Sequence, residues 1–257
     1  IGVYRPSSGT WFVLQSLVGA TTAVQFGFGA DVPVPADYDG DGKVDVAIYR
    51  PSNGTWYILG SSRGFYTEQW GFSTDMPVPA DYDGDGKADV AIYRPSNGTW
   101  YVLGTTSGVT VTQFGFSTDV PVVADYDGDG KADVAIYRPS NGTWYVLGTT
   151  SGFASTQFGL SSDIPVPADY DGDGDIDLFV GGRSVPWNYG ADPKSLLLRN
   201  DGRGHFVDVT PSLAPALERV GMVTDALWQD VDLDGRLDLV VVGEWMPIRF
   251  FKNTKKK

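Results

Sequence analysis

Apolar and polar positions alternate in short runs, and no helical period of useful length appears before residue 210. In Thr55-Trp56-Tyr57-Ile58-Leu59, Trp56 and Ile58 fall on one face and Tyr57 and Leu59 on the other. Both faces are apolar, so both must be covered, as in a sheet stacked between two similar sheets. Upstream, Asp45 to Arg50 is a β-rich run that stops at Pro51. Ser52-Asn53-Gly54 is then a turn, Asn-Gly being the strongest short hairpin signal. Gly60 ends the strand Thr55 to Leu59, and a Ser/Gly turn leads to a third strand, Tyr66 to Trp70. A fourth, around Val78 to Ala80, is short and weakly paired because Pro77 and Pro79 lack ladder donors.

The pattern returns every 44 residues, with one residue more between the first and second Tyr-Arg-Pro and Thr-Trp copies. Tyr-Arg-Pro recurs at Tyr4, Tyr49, Tyr93 and Tyr137, and Thr-Trp at Trp11, Trp56, Trp100 and Trp144. An aromatic–Gly pair recurs at Phe26, Trp70, Phe114 and Phe158. Asp81 to Gly108 and Asp125 to Gly152 are identical, a mark of recent duplication or deliberate construction. Four strands per unit at this period predict an all-β fold, a β-propeller of four-stranded blades. The regular tryptophans favour blade packing over a sugar platform.

The expected organisation is one domain over residues 1–257, about six blade equivalents with incomplete first and last blades. Residues 1–30 form a partial blade; 31–74, 75–118 and 119–162 form near-identical blades; 163–220 form a decorated one and 221–257 a second partial one. In the decorated blade Leu213 to Val220 are expected to form a short helix. The start, Ile1-Gly2-Val3-Tyr4, is no signal peptide and matches a repeat interior, so the chain is expected to be a mature or trimmed piece.

An acidic loop accompanies the repeats. The first runs from Asp37 through Asp39 and Asp41 to Asp45, and the second from Asp81 through Asp83 and Asp85 to Asp89. The third has Asp125, Asp127, Asp129 and Asp133, and the fourth Asp169, Asp171, Asp173 and Asp177. The fifth, Asp230, Asp232, Asp234 and Asp238, comes 61 residues after the fourth. Each therefore has Asp at loop positions 1, 3, 5 and 9 and Gly at position 6, where a β-carbon would be disfavoured. Four carboxylates in nine residues repel unless a cation sits among them. Oxygen-only ligands select a hard ion, and Ca²⁺ suits a mobile loop better than Mg²⁺ does. Position 7 is expected to give its backbone carbonyl, which explains its varied side chain: Lys43, Lys87, Lys131, Asp175 and Arg236. The loop is similar to the first half of an EF-hand loop. It lacks the distal Glu, position 12 being Ile48 in the first copy, and position 9 closes the shell instead.

Composition follows from these loops. The net charge is −13, but the 20 carboxylates at these positions are most of the 32 acidic residues. About five bound Ca²⁺ ions would bring the charge to about −3. There is no Cys, which removes disulfides, thiolate ligands and Cys nucleophiles. No apolar run reaches a membrane span. No basic patch with interleaved aromatics suggests nucleic acid.

The loop, the preceding Phe-Gly and Pro-Ala elements and the period resemble the FG-GAP/VCBS repeat family, to which integrin α-subunit propellers and certain fungal lectins are related. Leu198-Arg199-Asn200-Asp201-Gly202 and Asp230 to Asp238 are similar to a second, bacterial subtype. The resemblance implies calcium bound between strands of a blade, extracellular or cell-surface exposure, and a role in adhesion or ligand binding. It names no ligand, because propellers host many functions.

Outside the loops little chemistry is evident. His205 is the only His and has no triad or metal partner. Glu68, Glu218 and Glu244 are the only Glu, and none has an evident partner. Arg5, Arg50, Arg94 and Arg138 are expected to neutralise acidic loops or end edge strands, with a basic rim as the other option. Trp187 and Tyr189, in an insertion without counterpart, are the candidate ligand-binding residues, weighed against local packing. The expected function is a calcium-stabilised binding or adhesion module that takes a protein or glycan ligand and is not an enzyme. The alternatives are a lyase-like propeller domain acting on polysaccharide and a purely structural or engineered scaffold. The incomplete terminal blades leave edges through which copies could self-associate.

Overall fold

Each repeat folds into an antiparallel meander whose turns fall at its glycines. The structure, a computed structural model, describes residues 2–14, 20–169, 176–185, 187–188, 190–201, 206–232, 234 and 236–254. Six sheets follow one another along the chain. Sheet I contains β1 (Gly2–Arg5), β2 (Thr10–Leu14) and β3 (Thr21–Gln25). Sheet II contains β4 (Val32–Pro33), β5 (Val46–Arg50), β6 (Thr55–Gly60) and β7 (Gly64–Gln69). Sheet III contains β8 (Met76–Pro77), β9 (Val90–Arg94), β10 (Thr99–Gly104) and β11 (Gly108–Gln113). Sheet IV contains β12 (Val120–Pro121), β13 (Val134–Arg138), β14 (Thr143–Gly148) and β15 (Gly152–Gln157). Sheet V contains β16 (Ile164–Ala168), β17 (Asp177–Gly181), β18 (Leu196–Arg199) and β19 (Val207–Asp208). Sheet VI contains β20 (Met222–Gln229), β21 (Asp238–Glu244) and β22 (Arg249–Phe251). The fold class is thus the expected one, all-β and built from β-propeller blades, four of them four-stranded and the first and last three-stranded. The chain divides into two compact units, residues 1–117 and 118–257.

Within the first unit, sheet II packs on sheet III. Trp56, Ile58 and Tyr49 join Ala88, Val90 and Ile92 in one buried cluster. The opposite face of β6, with Tyr57 and Leu59, is half-buried. Within the second unit, Tyr137, Trp144 and Val146 of sheet IV pack on Leu178 and Val180 of sheet V. Sheets V and VI share a third cluster around Phe179, Leu197, Val223 and Val241. The repeated tryptophans are core residues: each indole N–H of Trp56, Trp100 and Trp144 donates to a backbone carbonyl 14 residues on.

The fourth strand of the repeat begins earlier than expected, at Met76, and pairs with β9 of its own sheet. Val78 and Ala80 continue this pairing, with the Val78 amide donating to Ala91 O at 2.9 Å. Pro77 and Pro79 alternate with these residues, so the missing donors face away from the ladder. The helix expected over 213–220 is shorter and earlier: one α-turn, α1 (Thr210–Leu213), then a 3-10 turn at Pro215–Leu217. Pro211 opens the first and Pro215 breaks the run.

The Asn-Gly turn and the aromatic–Gly pair interlock. Gly54 has φ +63°, and a Cβ there would lie 2.1 Å from Gly71 O. The Trp70 amide donates to Gly54 O at 2.9 Å, and the Tyr49 hydroxyl donates to Phe72 O at 2.5 Å.

The arginine of Tyr-Arg-Pro does not neutralise the acidic loops. Arg50, Arg94 and Arg138 make two-pronged pairs with Asp31, Asp75 and Asp119, 19 residues earlier, at 2.7–2.9 Å. Each guanidinium also lies over a tyrosine ring, Tyr57, Tyr101 or Tyr145. In sheet V the equivalent acid is Asp163, and Gly182 stands 19 residues on, at the arginine's place in the repeat; a Cβ there would be 2.5 Å from Lys194 O. Asp163 Oδ1 is buried without a hydrogen-bond partner, and burial raises the carboxyl's pKa. Its folded pKa exceeds the unfolded one, so this group's contribution to stability falls as pH rises through the folded value. At pH 7, Asp119→Asn is therefore expected to cost about 3 kcal/mol, because it strands Arg138. Asp163→Asn is expected to be neutral or stabilising. Urea unfolding of the two variants checks the contrast, and equal losses would refute it.

Candidate metal centre

The first acidic loop joins β4 to β5, and the Ala36–Asp45 pair closes it. Gly40 and Gly42 both have φ +79°, which coils the intervening carboxylates inward. Asp37 caps that coil: its Oδ1 accepts the Gly40 amide and its Oδ2 the Gly42 amide, both at 2.7 Å. Asp39 Oδ2 accepts the amides of Ser62 and Arg63 at 2.8 Å. Asp41 Oδ2 accepts the Ser61 hydroxyl at 2.7 Å. Asp45 is buried and accepts the Tyr38 amide at 2.9 Å and the Ser61 amide at 2.7 Å. The loop is thus bolted to the β6–β7 turn of its own sheet.

Loops two and three repeat this arrangement. Asp83 accepts from the Thr106 and Ser107 amides, and Asp127 from those of Thr150 and Ser151. Asp89 and Asp133 have no exposed surface, and each accepts one amide from its own loop and one from the adjoining turn. Position 9 is therefore a brace as well as a candidate ligand.

One atom in each of the first three loops lacks a partner. Oδ1 of Asp39, Asp83 and Asp127 is buried and receives no hydrogen bond. A buried carboxylate oxygen without a donor is costly unless a cation faces it. Carboxylate oxygens of Asp37, Asp39 and Asp41 lie within 4.8 Å of one another. So do those of Asp81, Asp83 and Asp85, of Asp125, Asp127 and Asp133, and of Asp230, Asp232 and Asp234. Oxygens on opposite sides of one Ca²⁺, at about 2.3–2.6 Å each, span about that distance. The donor set therefore fits a hard divalent ion.

Burial raises the Asp133 carboxyl to about 6, with the nearby charges of Asp127 and Asp125 adding to the rise, and the Thr149 and Tyr126 amides opposing it. Burial raises Asp89 likewise. Asp39 shifts the other way, lowered chiefly by the Arg63 amide.

Of the fourth loop, Asp171, Asp173 and Asp175 lie outside the described residues, as do Tyr189 and His205. Asp177 is buried and accepts the Asn200 amide at 2.8 Å. The fifth loop differs. Asp238 accepts amides from Val231 and Asn253, but Lys252 pairs with Asp232, and Arg236 with Asp234. An entering cation must displace these charges. At position 7 the structure adds a side-chain role in the first loop too, Lys43 Nζ lying 3.0 Å from Asp41. Trp187 is fully exposed, with φ +64°.

Two sets of bracing residues were not singled out in the sequence. Tyr38, Tyr82 and Tyr126, at loop position 2, bury their rings and donate their hydroxyls to Val34, Val78 and Val122 carbonyls. The turns Ser61–Arg63, Thr105–Ser107 and Thr149–Ser151 supply the amides. Their signal was the recurrence of two hydroxyl residues three and two positions before Gly64, Gly108 and Gly152.

Consecutive antiparallel blades, with an acidic loop between the first two strands of sheets II to VI, define a class of acidic-loop repeat proteins. The chain belongs to the FG-GAP-like repeat family, whose profile matches residues 37–92, 81–136, 125–180 and 169–241. Among solved structures it is similar to BBS1N in complex with ARL6DN, at 11% identity and TM-score 0.59, covering 99% of this chain and 72% of that one. It is also similar to a virginiamycin B lyase from Staphylococcus aureus solved with quinupristin, at 9% identity and TM-score 0.55, covering 98% of this chain and 80% of that one. A protein of unknown function from Bacteroides caccae matches at 11% identity and TM-score 0.54, covering 90% of this chain and 78% of that one. At such identities the likeness is one of fold. No curated protein matches the sequence. Among the described residues no helix is long and apolar enough to cross a membrane.

Proposed function

We propose that this chain is a calcium-braced extracellular binding module that recognises a protein or glycan ligand. The partnerless buried Oδ1 of Asp39, Asp83 and Asp127 supports the metal most directly. Asp37, Asp39, Asp41 and Asp45, and their counterparts in the other loops, would hold the ion. Calcium supplies charge neutralisation: it offsets carboxylate repulsion. The protein's own amides fix each loop against the neighbouring turn, so the blade presents a rigid surface. That rigidity and the family support a role in adhesion and display outside the cell.

Thermal melting with calcium and with EDTA tests this. A loop filled at 100 times its Kd adds about 2.7 kcal/mol. Several filled loops are expected to raise Tm by roughly 20 °C, and EDTA to reverse the gain. Identical melting curves would sink the metal assignment. The fifth loop is expected to fill last, since Lys252 and Arg236 already neutralise it.

Calcium must also compete with the proton on Asp133. That carboxyl holds its proton below about pH 6 in the metal-free fold, so affinity at the third loop falls as pH drops below this value. The expected loss approaches roughly tenfold per pH unit for one displaced proton. Calorimetry across pH 5 to 7.5 with Asp133→Asn as control checks it, and a pH-independent affinity would count against it.

A further inference from the structure

Three side chains break a pattern that the sheets otherwise share. Arg63 stands where sheets III and IV carry Ser107 and Ser151. Tyr66 replaces Thr110 and Ala154, and Glu68 replaces Thr112 and Thr156. Tyr66 and Glu68 occupy one face of β7 and are half-buried, whereas Phe65 and Thr67 on the other face are exposed. All three line a cavity of about 530 Å³ that also involves Lys87, Leu103 and Thr105, within the first unit. That volume lies in the range of small-ligand sites.

Asp39 of the first acidic loop also lines the cavity, with its Oδ2 committed to the Ser62 and Arg63 amides; the other charges are uncommitted. Arg50, Arg94 and Lys43 of the same two sheets all have carboxylate partners. Among the described residues the Arg63 guanidinium and the Lys87 ammonium have no ion pair within 4.0 Å, and neither has Glu68. Arg63 instead lies over the Tyr66 ring, 3.9 Å from its centroid, which fixes the planar cation at the cavity wall. The Lys87 stem is held against Gly40, where a Cβ would touch Lys87 Cε at 3.0 Å.

We infer that this cavity binds an acidic saccharide, a sugar carrying a carboxylate or sulfate. Arg63 and Lys87 are pure donors and take the anion. Glu68 is a pure acceptor and takes ring hydroxyls, which also meet the hydroxyl of Thr105. One acidic sugar ring offers both an anion and several hydroxyl donors, and Leu103 gives its apolar face a partner. Lysines and arginines on an open surface would attract anions without selecting a shape; here the cavity supplies the shape. The inference deepens the binding role proposed above by naming the ligand class, and it rests on that role.

The test is calorimetric titration of the calcium-loaded full chain with trigalacturonate, N-acetylgalactosamine 4-sulfate and neutral maltotriose. At least one acidic sugar is expected to bind about tenfold or more tightly than maltotriose. The two acidic arms separate carboxylate from sulfate. Arg63→Ser is expected to weaken binding about tenfold or more. Arg63→Ser, Tyr66→Thr and Glu68→Thr together are expected to abolish it. That triple variant carries the residues of sheet III, so it should still unfold in one cooperative transition, at a Tm lowered only by the lost Tyr66 packing. Equal affinity for maltotriose, undiminished binding by the folded triple variant, or tighter binding of an aspartate-rich peptide than of either acidic sugar would each overturn the inference. None of these outcomes touches the calcium-dependent melting shift, on which the metal assignment stands separately.

Discussion

Replacing Asp89 with Ala is expected to lower stability by about 4 kcal/mol and Tm by roughly 10 °C. Asp89 is wholly buried and accepts the Tyr82 amide at 2.9 Å and the Thr105 amide at 2.7 Å. Alanine leaves both donors buried without an acceptor, each costing about 1–3 kcal/mol. It also removes one tie between the second acidic loop and the β10–β11 turn, leaving only those made by Asp83 and Asp85, and it deletes a candidate ligand. Calcium should then rescue the variant less than it stabilises the wild type. Asp89→Asn retains one acceptor oxygen and should fall between the two. Melting curves with and without calcium decide the matter. A loss below about 2 °C for the alanine variant would mean that position 9 is only a ligand and not a brace.

Gly98→Ala is the second large effect, expected at about 4 kcal/mol or more. Gly98 has φ +62°, and an added Cβ would lie 2.0 Å from Gly115 O, a backbone atom that cannot swing aside. The left-handed backbone alone costs a non-glycine residue about 1–2 kcal/mol. The collision adds to this by prising the Asn-Gly turn from the aromatic–Gly pair, where the Phe114 amide donates to Gly98 O at 2.8 Å. Gly86→Ala isolates the backbone component. Its φ is +84° with no atom within 4 Å of the added Cβ, so about 1–2 kcal/mol is expected. Urea denaturation of the pair measures the difference, and similar losses would show that the turn tolerates displacement.

The two glycines illustrate how far sequence could lead. Asn97-Gly98 announced a turn, and Phe114-Gly115 announced a repeated element, but their mutual contact was invisible because 17 residues separate them. The same holds for the arginines. Arg94 was visible as a repeated cation, and Asp75 was one acid among many. Only the folded register places them in a two-pronged pair, at the end of β9 and beside the Tyr101 ring. Proximity in the chain favoured the acidic loops as partners; the direction of β9 decided otherwise.

For the acidic loops, sequence went further. Asp at alternating positions with Gly between them fixes a local coil, and local coils need no tertiary information. The orphaned oxygen of Asp83 needs it, since that oxygen is sheltered by the turn that satisfies its twin. The cavity beside Arg63, Tyr66 and Glu68 was legible only as three departures from a repeat, scattered over six residues. Their convergence follows from the two-residue period of β7 and from the stacking of sheet III against it.

By itself the sequence determined the all-β class, the 44-residue unit, the strand runs and the acidic loops, because each depends on neighbours close along the chain. The tertiary structure alone decided which carboxylates brace and which are left for a cation, which arginines are paired, and where uncommitted charges face a cavity. Those outcomes depend on which strands lie side by side, and that is set by burying both faces of β6 and its counterparts rather than by any local pattern.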